Sequence, residues 1–298
     1  MKGAAPILCL VGPTGAGKSA LAIDVAERAD AEIVSCDSVT VYRGLDVGSA
    51  KPTATERARV PHHVIDVAEP TEVFTAARWV ALAERAIAEV RGRGRLPLVV
   101  GGTGLYLRAL VEGLFEAPPP DPALRARLLA LPIEELARRV AEGDPEAARR
   151  IAPGDRVRLA RALEVLEQTG RPISAWQAES RARGPRHPAL LVGLDPPRDA
   201  LYARIDARVQ AMMAAGWPGE VRHLVARFGP GARALGALGY RTLVAHVAGR
   251  VPLESAVAVI QRETRNFARR QRTWFRKMDV RWATSPETAR SELLGAAR

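Results

Sequence analysis

The sequence predicts an α/β fold, a parallel sheet flanked by helices and interrupted by an all-helical insertion. Three observations carry that reading: short apolar runs alternating with helix-length stretches, glycine-rich turns after two of those runs, and a strand-free tract behind a proline cluster. The run Ile7-Leu8-Cys9-Leu10-Val11 is apolar at every position, as a strand covered on both faces must be. A helix from Lys18 to about Ala29 follows, then a strand at Glu32-Ile33-Val34-Ser35. From Thr75 to Arg91 the pattern is again helical and ends in Gly92-Arg93-Gly94-Arg95, ahead of the strand Leu96-Pro97-Leu98-Val99-Val100. Pro118-Pro119-Pro120-Asp121-Pro122 breaks the alternation, and everything to about Gln177 is helical. The strand pattern resumes at Ala189-Leu190-Leu191-Val192-Gly193-Leu194, helices follow to Lys277, and Val280-Arg281-Trp282 reads as a short last strand. The expected organisation is a core of residues 1–117 and 189–298 with a helical insertion, 118–188.

Composition narrows the function. The chain has 298 residues, 47% hydrophobic and 26% charged, enough for a sizeable core in about two domains and incompatible with wholesale disorder. Its apolar runs fall far short of the roughly 20 residues that span a bilayer, so no membrane partner and no targeting segment are expected. Cys9 and Cys36 are too few for a disulfide framework or a zinc site and point to a reducing, cytoplasmic setting. The excess of 44 basic over 33 acidic residues, +11, predicts a polyanionic partner such as nucleic acid. Only Lys2, Lys18, Lys51 and Lys277 among the basic residues are lysines, so Lys18 and Lys51 stand out against forty arginines.

Gly12-Pro13-Thr14-Gly15-Ala16-Gly17-Lys18-Ser19 matches G-x-x-x-x-G-K-[ST] between a strand and a helix, which makes the core P-loop NTPase-like. Glycines let backbone amides turn around phosphate oxygens, the helix terminus adds a favourable dipole, Lys18 brings a point charge, and the Ser19 hydroxyl can ligate Mg2+. The loop binds pyrophosphate or a nucleotide such as ATP; a kinase, an NTPase and a transferase that releases pyrophosphate would all use it. Asp37 follows the second strand at the sheet edge where ligands bind, as a Mg2+ ligand, a general base or a helix N-cap.

The stretch from Asp37-Ser38-Val39-Thr40-Val41-Tyr42-Arg43-Gly44 through Leu45-Asp46-Val47-Gly48-Ser49-Ala50-Lys51-Pro52-Thr53 resembles the signature of the tRNA dimethylallyltransferase family. Pro61-His62-His63, Val100-Gly101-Gly102-Thr103-Gly104-Leu105-Tyr106, Arg158 to Val165, Ala237-Leu238-Gly239-Tyr240-Arg241 and Arg270-Gln271-Arg272-Thr273-Trp274-Phe275-Arg276 agree with it in order, across nearly the whole chain. The resemblance implies transfer of a dimethylallyl group from dimethylallyl pyrophosphate to the exocyclic amine of the adenosine just 3′ of the anticodon, in tRNAs reading codons that begin with U. It implies Asp37 as general base, Thr103 in the same region, and Lys18, Arg208 and Mg2+ at Ser19 neutralising the departing pyrophosphate. It also places the tRNA anticodon stem-loop on Asp37, Ser38, Val39, Thr40, Thr103 and Arg125, on Val157, Arg158, Leu159, Ala160 and Arg161, and on Ala237, Leu238, Gly239, Tyr240, Arg241 and Thr242. The insertion then serves as a clamp on a monomeric enzyme. A related activity on free adenylate shares the loop and Asp37 but needs no clamp.

Two residues depart from the family pattern. Thr40 stands where glutamine is usual, which implies a changed contact to the flipped adenine or its neighbour, and Ser19 replaces threonine but keeps the hydroxyl. No cysteine follows Cys36, so the zinc finger of eukaryotic members is absent and the chain resembles the shorter bacterial form. Arg262, Arg265, Arg269, Arg272 and Arg276 recur at three- and four-residue spacing, a basic stripe with Glu263 as the only nearby acid in sequence. Trp274 and Phe275 read as core anchors, and His62-His63 lacks metal-ligand spacing.

Overall fold

The apolar runs become the middle of a six-stranded, wholly parallel sheet in a computed structural model that describes residues 5–115 and 118–297. In chain order the first part holds β1 (Ile7–Val11), α1 (Lys18–Ala29), β2 (Ala31–Cys36), α2 (Ala54–Arg59), β3 (His62–His63), α3 (Ala76–Gly92), β4 (Leu96–Gly101) and α4 (Gly104–Glu112). Next come α5 (Pro122–Ala130), α6 (Ile133–Gly143), α7 (Pro145–Arg150), α8 (Arg156–Thr169) and α9 (Ile173–Ala182). The chain closes with β5 (Ala189–Leu194), α10 (Arg198–Ala214), α11 (Trp217–Phe228), a 3-10 turn (Arg233–Gly236), α12 (Tyr240–Val247), α13 (Leu253–Phe275), β6 (Val280–Ala283) and α14 (Pro286–Ala296).

The strand order is β3-β2-β4-β1-β5-β6. β1 lies between β4 and β5, with Leu10 level with Val100 and Val192, and none of its residues exceeds 2% exposure. That explains its unbroken apolar sequence, each buried Leu or Ile contributing about 1.5–3 kcal/mol. Helix α3 starts where the Thr75 hydroxyl accepts the Arg78 N–H and buries Trp79, Val80, Ala83, Ala86, Ile87 and Val90 at helical spacing. The two-residue edge strand β3 was not expected. Its backbone pairs with Ile33 and Val34 of β2, and the His63 ring shares a hydrogen bond with Glu32 at 2.6 Å; Glu32, 2% exposed within β2, also takes Arg93 and Arg95. Arg93 first, then His63 and Arg95, hold that carboxyl down at about 2 against its burial.

The chain divides into two units, residues 5–111 with 187–297, and residues 112–186. The proline break suggested a start at 118 for the smaller one; the expected boundary at 117 lies outside the described residues. The division falls earlier because Phe115 packs on the smaller unit's core of Leu128, Leu136, Val140, Leu159 and Leu163. Within that unit, Asp121, Asp144 and Asp155 cap α5, α7 and α8, and Gly170 ends α8 in the left-handed conformation. Asp144 also accepts the Ser174 N–H at 2.9 Å and so ties α7 to α9.

Candidate active site

The carboxyl ends of β1, β2, β4 and β5 deliver Gly12, Asp37, Gly102 and Asp195 to one edge of the sheet, where open α/β sheets bind ligands. Gly12 has φ +141, and a Cβ there would lie 2.4 Å from the Leu194 carbonyl oxygen, so only glycine lets the loop leave β1. Gly17 caps α1 with φ +93 and no side-chain cap, which leaves first-turn amides of α1 open to an anion. Thr14, Gly15, Gly17, Lys18 and Ser19 line a cavity of about 440 Å³, together with Asp37, Val39, Thr40, Arg208, Met212, Trp217, Leu238 and Gln271. The Lys18 ammonium donates to the Pro13 carbonyl at 2.7 Å, while the Thr14 N–H is taken by Gln271 at 2.8 Å.

Two cations face this cavity. Enclosure lowers Lys18 to about 8, the Arg208 guanidinium pushes the same way, and Asp37 opposes them. Burial also lowers Arg208. Among the described residues neither makes a direct ion pair with a carboxylate, and Asp37, on the same cavity wall, offsets only part of their charge inside walls that weaken solvent screening.

Asp37 caps a turn and not a helix, since the next helix begins only at Ala54. Its Oδ1 accepts the Val39 N–H at 2.7 Å and the Thr40 N–H at 3.2 Å, an arrangement that caps its own turn. Its Oδ2 has no hydrogen bond among the described residues. The turn therefore orients a carboxylate whose second oxygen is available. Thr103 lies outside the cavity wall; its hydroxyl accepts the Ser38 N–H at 3.1 Å and holds the segment that carries Asp37. Thr40, 6% exposed, pairs its hydroxyl with Ser35 at 3.1 Å.

A family model described as IPP transferase matches residues 40–278, and one described as Isopentenyl transferase matches residues 5–68. The chain belongs to the IPP transferase family. It is thus an enzyme, a prenyltransferase, as its relatives are named. A tRNA dimethylallyltransferase of Symbiobacterium thermophilum is 50% identical, covering 91% of this chain and 86% of that one; tRNA dimethylallyltransferase 1 of Citrifermentans bemidjiense is 48% identical over 94% and 92%. Among solved structures, the tRNA isopentenylpyrophosphate transferase of Bacillus halodurans superposes with a TM-score of 0.73 at 34% identity, covering 98% of this chain and 96% of that one. A eukaryotic dimethylallyltransferase acting on tRNA gives 0.77 at 25% identity, over 91% and 70%.

Residues that the family resemblance assigned to tRNA separate into exposed and buried sets. Ser38, Val157, Arg158 and Arg241 are exposed, and Leu238 lines the cavity. Leu159, Ala160 and Tyr240 are 2%, 1% and 0% exposed, so their side chains belong to the core. Arg125 and Arg161 both bind the buried Glu164, at 2.5 and 2.7 Å. Ala237 and Thr242 are half-buried, and Gly239 makes room for Trp217, whose ring would meet a Cβ at 2.2 Å.

Sequence reasoning missed the residues that shape the signature loop. Glu220 accepts the amides of Asp46, Val47 and Gly48 and the Tyr240 hydroxyl. Trp217 packs so closely that Cβ atoms at Gly48 and Gly239 would both overlap it; those two motif glycines were the available signal. Lys51, singled out by scarcity, is a structural clamp: its ammonium donates to the Tyr42 carbonyl, Asp46 and Asp66 at 2.8, 2.6 and 2.6 Å. The basic stripe is also less basic than its sequence neighbours implied. Arg265 pairs with Asp206 and Arg272 with Asp195, acids some 60 to 80 residues away, while Arg262 and Arg269 are exposed and have no ion pair among the described residues. Phe275 is fully buried, and Trp274 packs over Gly104 with the Arg108 guanidinium 4.7 Å from its ring. Among the described residues no group of three or more His, Cys, Asp and Glu forms a metal cage.

Proposed function

We propose that this chain transfers the dimethylallyl group of dimethylallyl pyrophosphate to the exocyclic amine of the adenosine 3′-adjacent to the anticodon, in tRNAs reading codons that begin with U. The observation that carries the reading is that two cations without a direct ion pair among the described residues, Lys18 and Arg208, and the half-free carboxylate of Asp37 share one cavity. The names of its relatives support the acceptor class, tRNA, and the dimethylallyl group transferred.

The allylic C–O bond breaks and its electrons leave with pyrophosphate; Lys18, Arg208 and the open amides of α1 stabilise the negative charge that develops there. The adenine amine, its lone pair delocalised into the ring, forms the new C–N bond and gives up a proton to Asp37 Oδ2. The base reaches the cavity after leaving its stack, a cost of a few kcal/mol that is smallest in a loop. Ser19, exposed on the first turn of α1 beside the cavity, offers one hydroxyl and no carboxylate cage, a donor set suited to Mg2+, which takes most of its remaining ligands from phosphates and water. Bound there, Mg2+ would supply further charge stabilisation for the diphosphate. Two buried free thiols suit a reducing cytoplasm, and among the described residues no helix is long and apolar enough to cross a membrane. A monomer completes the reading.

Radiolabelled dimethylallyl pyrophosphate with Mg2+ and either tRNA or free AMP tests the proposal. Label on tRNA at the adenosine after the anticodon supports it; label on AMP alone, or ATP consumption without prenyl transfer, overturns it.

A further inference from the structure

Gln271 sits on α13 between the fully buried Ala268 and Phe275, and is itself 7% exposed. An apolar side chain would fill that place without the cost of burying an amide, so the amide's partners are the informative feature. Its Oε1 accepts the Thr14 N–H at 2.8 Å and its Nε2 donates to the Gly102 carbonyl at 2.9 Å. Both partners are backbone groups of turns that leave neighbouring strands, β1 and β4. The turns also approach each other closely: a Cβ on Gly102 would lie 2.2 Å from Gln271 Nε2 and 3.3 Å from the Gly12 carbonyl oxygen. One residue further on, the Thr103 N–H donates to the Cys36 carbonyl at 3.2 Å and the Thr103 hydroxyl accepts the Ser38 N–H at 3.1 Å. A single side chain thus joins the phosphate loop to the turn that holds the Asp37 segment.

We infer that Gln271 is a positioning residue for prenyl transfer, its amide fixing the diphosphate cradle in register with the Asp37 carboxylate. The inference rests on the transfer reading above. Gln271 lines the cavity and takes the Thr14 amide, but among the described residues it makes no hydrogen bond to the side chains of Lys18, Arg208 or Ser19, which would hold the diphosphate, or to the Asp37 turn. Loosening the register therefore affects the reacting geometry, where a displacement of about 1 Å costs on the order of 100-fold in rate, more than it affects binding.

The test uses Gln271→Leu and Gln271→Glu in the full-length enzyme, with steady-state kinetics and amide hydrogen exchange by NMR. Gln271→Leu should lower kcat about 10- to 100-fold while KM for dimethylallyl pyrophosphate and for tRNA stays within about threefold. Exchange should quicken at Thr14 and also at Ser38, which Gln271 does not contact. A glutamic acid presents the same acceptor and donor as the amide only when protonated, so the ratio of Gln271→Glu to wild-type kcat should rise at least about fivefold from pH 8 to pH 6. At saturating dimethylallyl pyrophosphate the bound diphosphate keeps Lys18 charged in both enzymes, so a carboxylate at 271 does not set them apart through Lys18 and the ratio reads residue 271. A Gln271→Leu kcat within threefold of wild type, quickened exchange confined to Thr14, or a flat Gln271→Glu ratio would each overturn the inference. A wild-type enzyme that prenylates no acceptor instead defeats the transfer reading, and exchange at Ser38 still decides the coupling.

Discussion

The phosphate-loop cavity and the helical unit both use arginine, and they treat its charge in opposite ways. On α8, Glu164 is fully buried and accepts from Arg125, from Arg161 and from the Asp121 N–H, at 2.5, 2.7 and 2.9 Å. Both arginines there make a direct ion pair with the one buried carboxylate. In the cavity, burial disfavours the charge of both Lys18 and Arg208, the Arg208 guanidinium adds to it at Lys18, and among the described residues no carboxylate makes a direct ion pair with either. Charge closed upon itself holds a fold; charge left open is available to a ligand. The contrast also reorders the expected tRNA contacts. Arg125 and Arg161 would have to share with Glu164, whereas Arg158, whose side chain is 64% exposed and whose contact with Asp155 is 3.3 Å, has more freedom to meet a phosphate.

The largest expected effect is on the open side. Asp37→Asn keeps the Oδ1 acceptor for Val39 and Thr40 and removes the proton acceptor, so kcat should fall by about 10²- to 10⁴-fold with the melting temperature unchanged. Single-turnover rates beside a thermal melt measure both. A variant that turns over normally would remove Asp37 as base, and one that melts early would make its capping role the dominant one.

Breaking the closed side should give the reverse pattern. Glu164→Ala leaves Arg125 and Arg161 without their buried partner and should cost about 3–5 kcal/mol of stability, read by urea unfolding. Activity per folded molecule, measured well below the unfolding transition, should fall far less than in Asp37→Asn. If stability is unchanged, the cluster is not the closed unit its geometry indicates.

The same division explains what could be read from sequence. Strands β1, β4 and β5 were legible because burial on two faces imposes continuous apolar runs, and the start of α1 was legible because the phosphate loop fixes it. Asp37 and Lys18 were legible because the loop motif and the sheet edge specify chemistry locally. Partners at long range were not. Gln271 reaches Thr14 across 257 positions, Glu220 reaches Asp46 across 174, and Asp195 reaches Arg272 across 77. Tertiary contacts of that separation leave no periodicity in the chain, so the α13 stripe looked open until its acids came into place. β3 escaped because two residues on a sheet edge are too short for any pattern.

Two smaller effects sharpen the comparison. A diphosphate binds better to protonated Lys18, and that group titrates near 8 when no anion is bound. Above pH 8 binding must therefore take up a proton, so affinity should be full below that pH and fall by up to about tenfold per unit above it, measured by calorimetry with dimethylallyl pyrophosphate. Lys18→Met should bind more weakly and lose that slope. The smallest effect belongs to the stripe. Arg262 and Arg269 have no ion pair among the described residues, whereas Arg265 and Arg272 are held by Asp206 and Asp195. Replacing Arg262 and Arg269 with alanine should therefore reduce the slope of log affinity for tRNA against log salt by about 0.7–0.9 for each phosphate left without its arginine, while Arg265→Ala should change it less and cost stability instead. Equal slopes for all three variants would mean that ion pairing within the chain does not decide which arginines meet the nucleic acid.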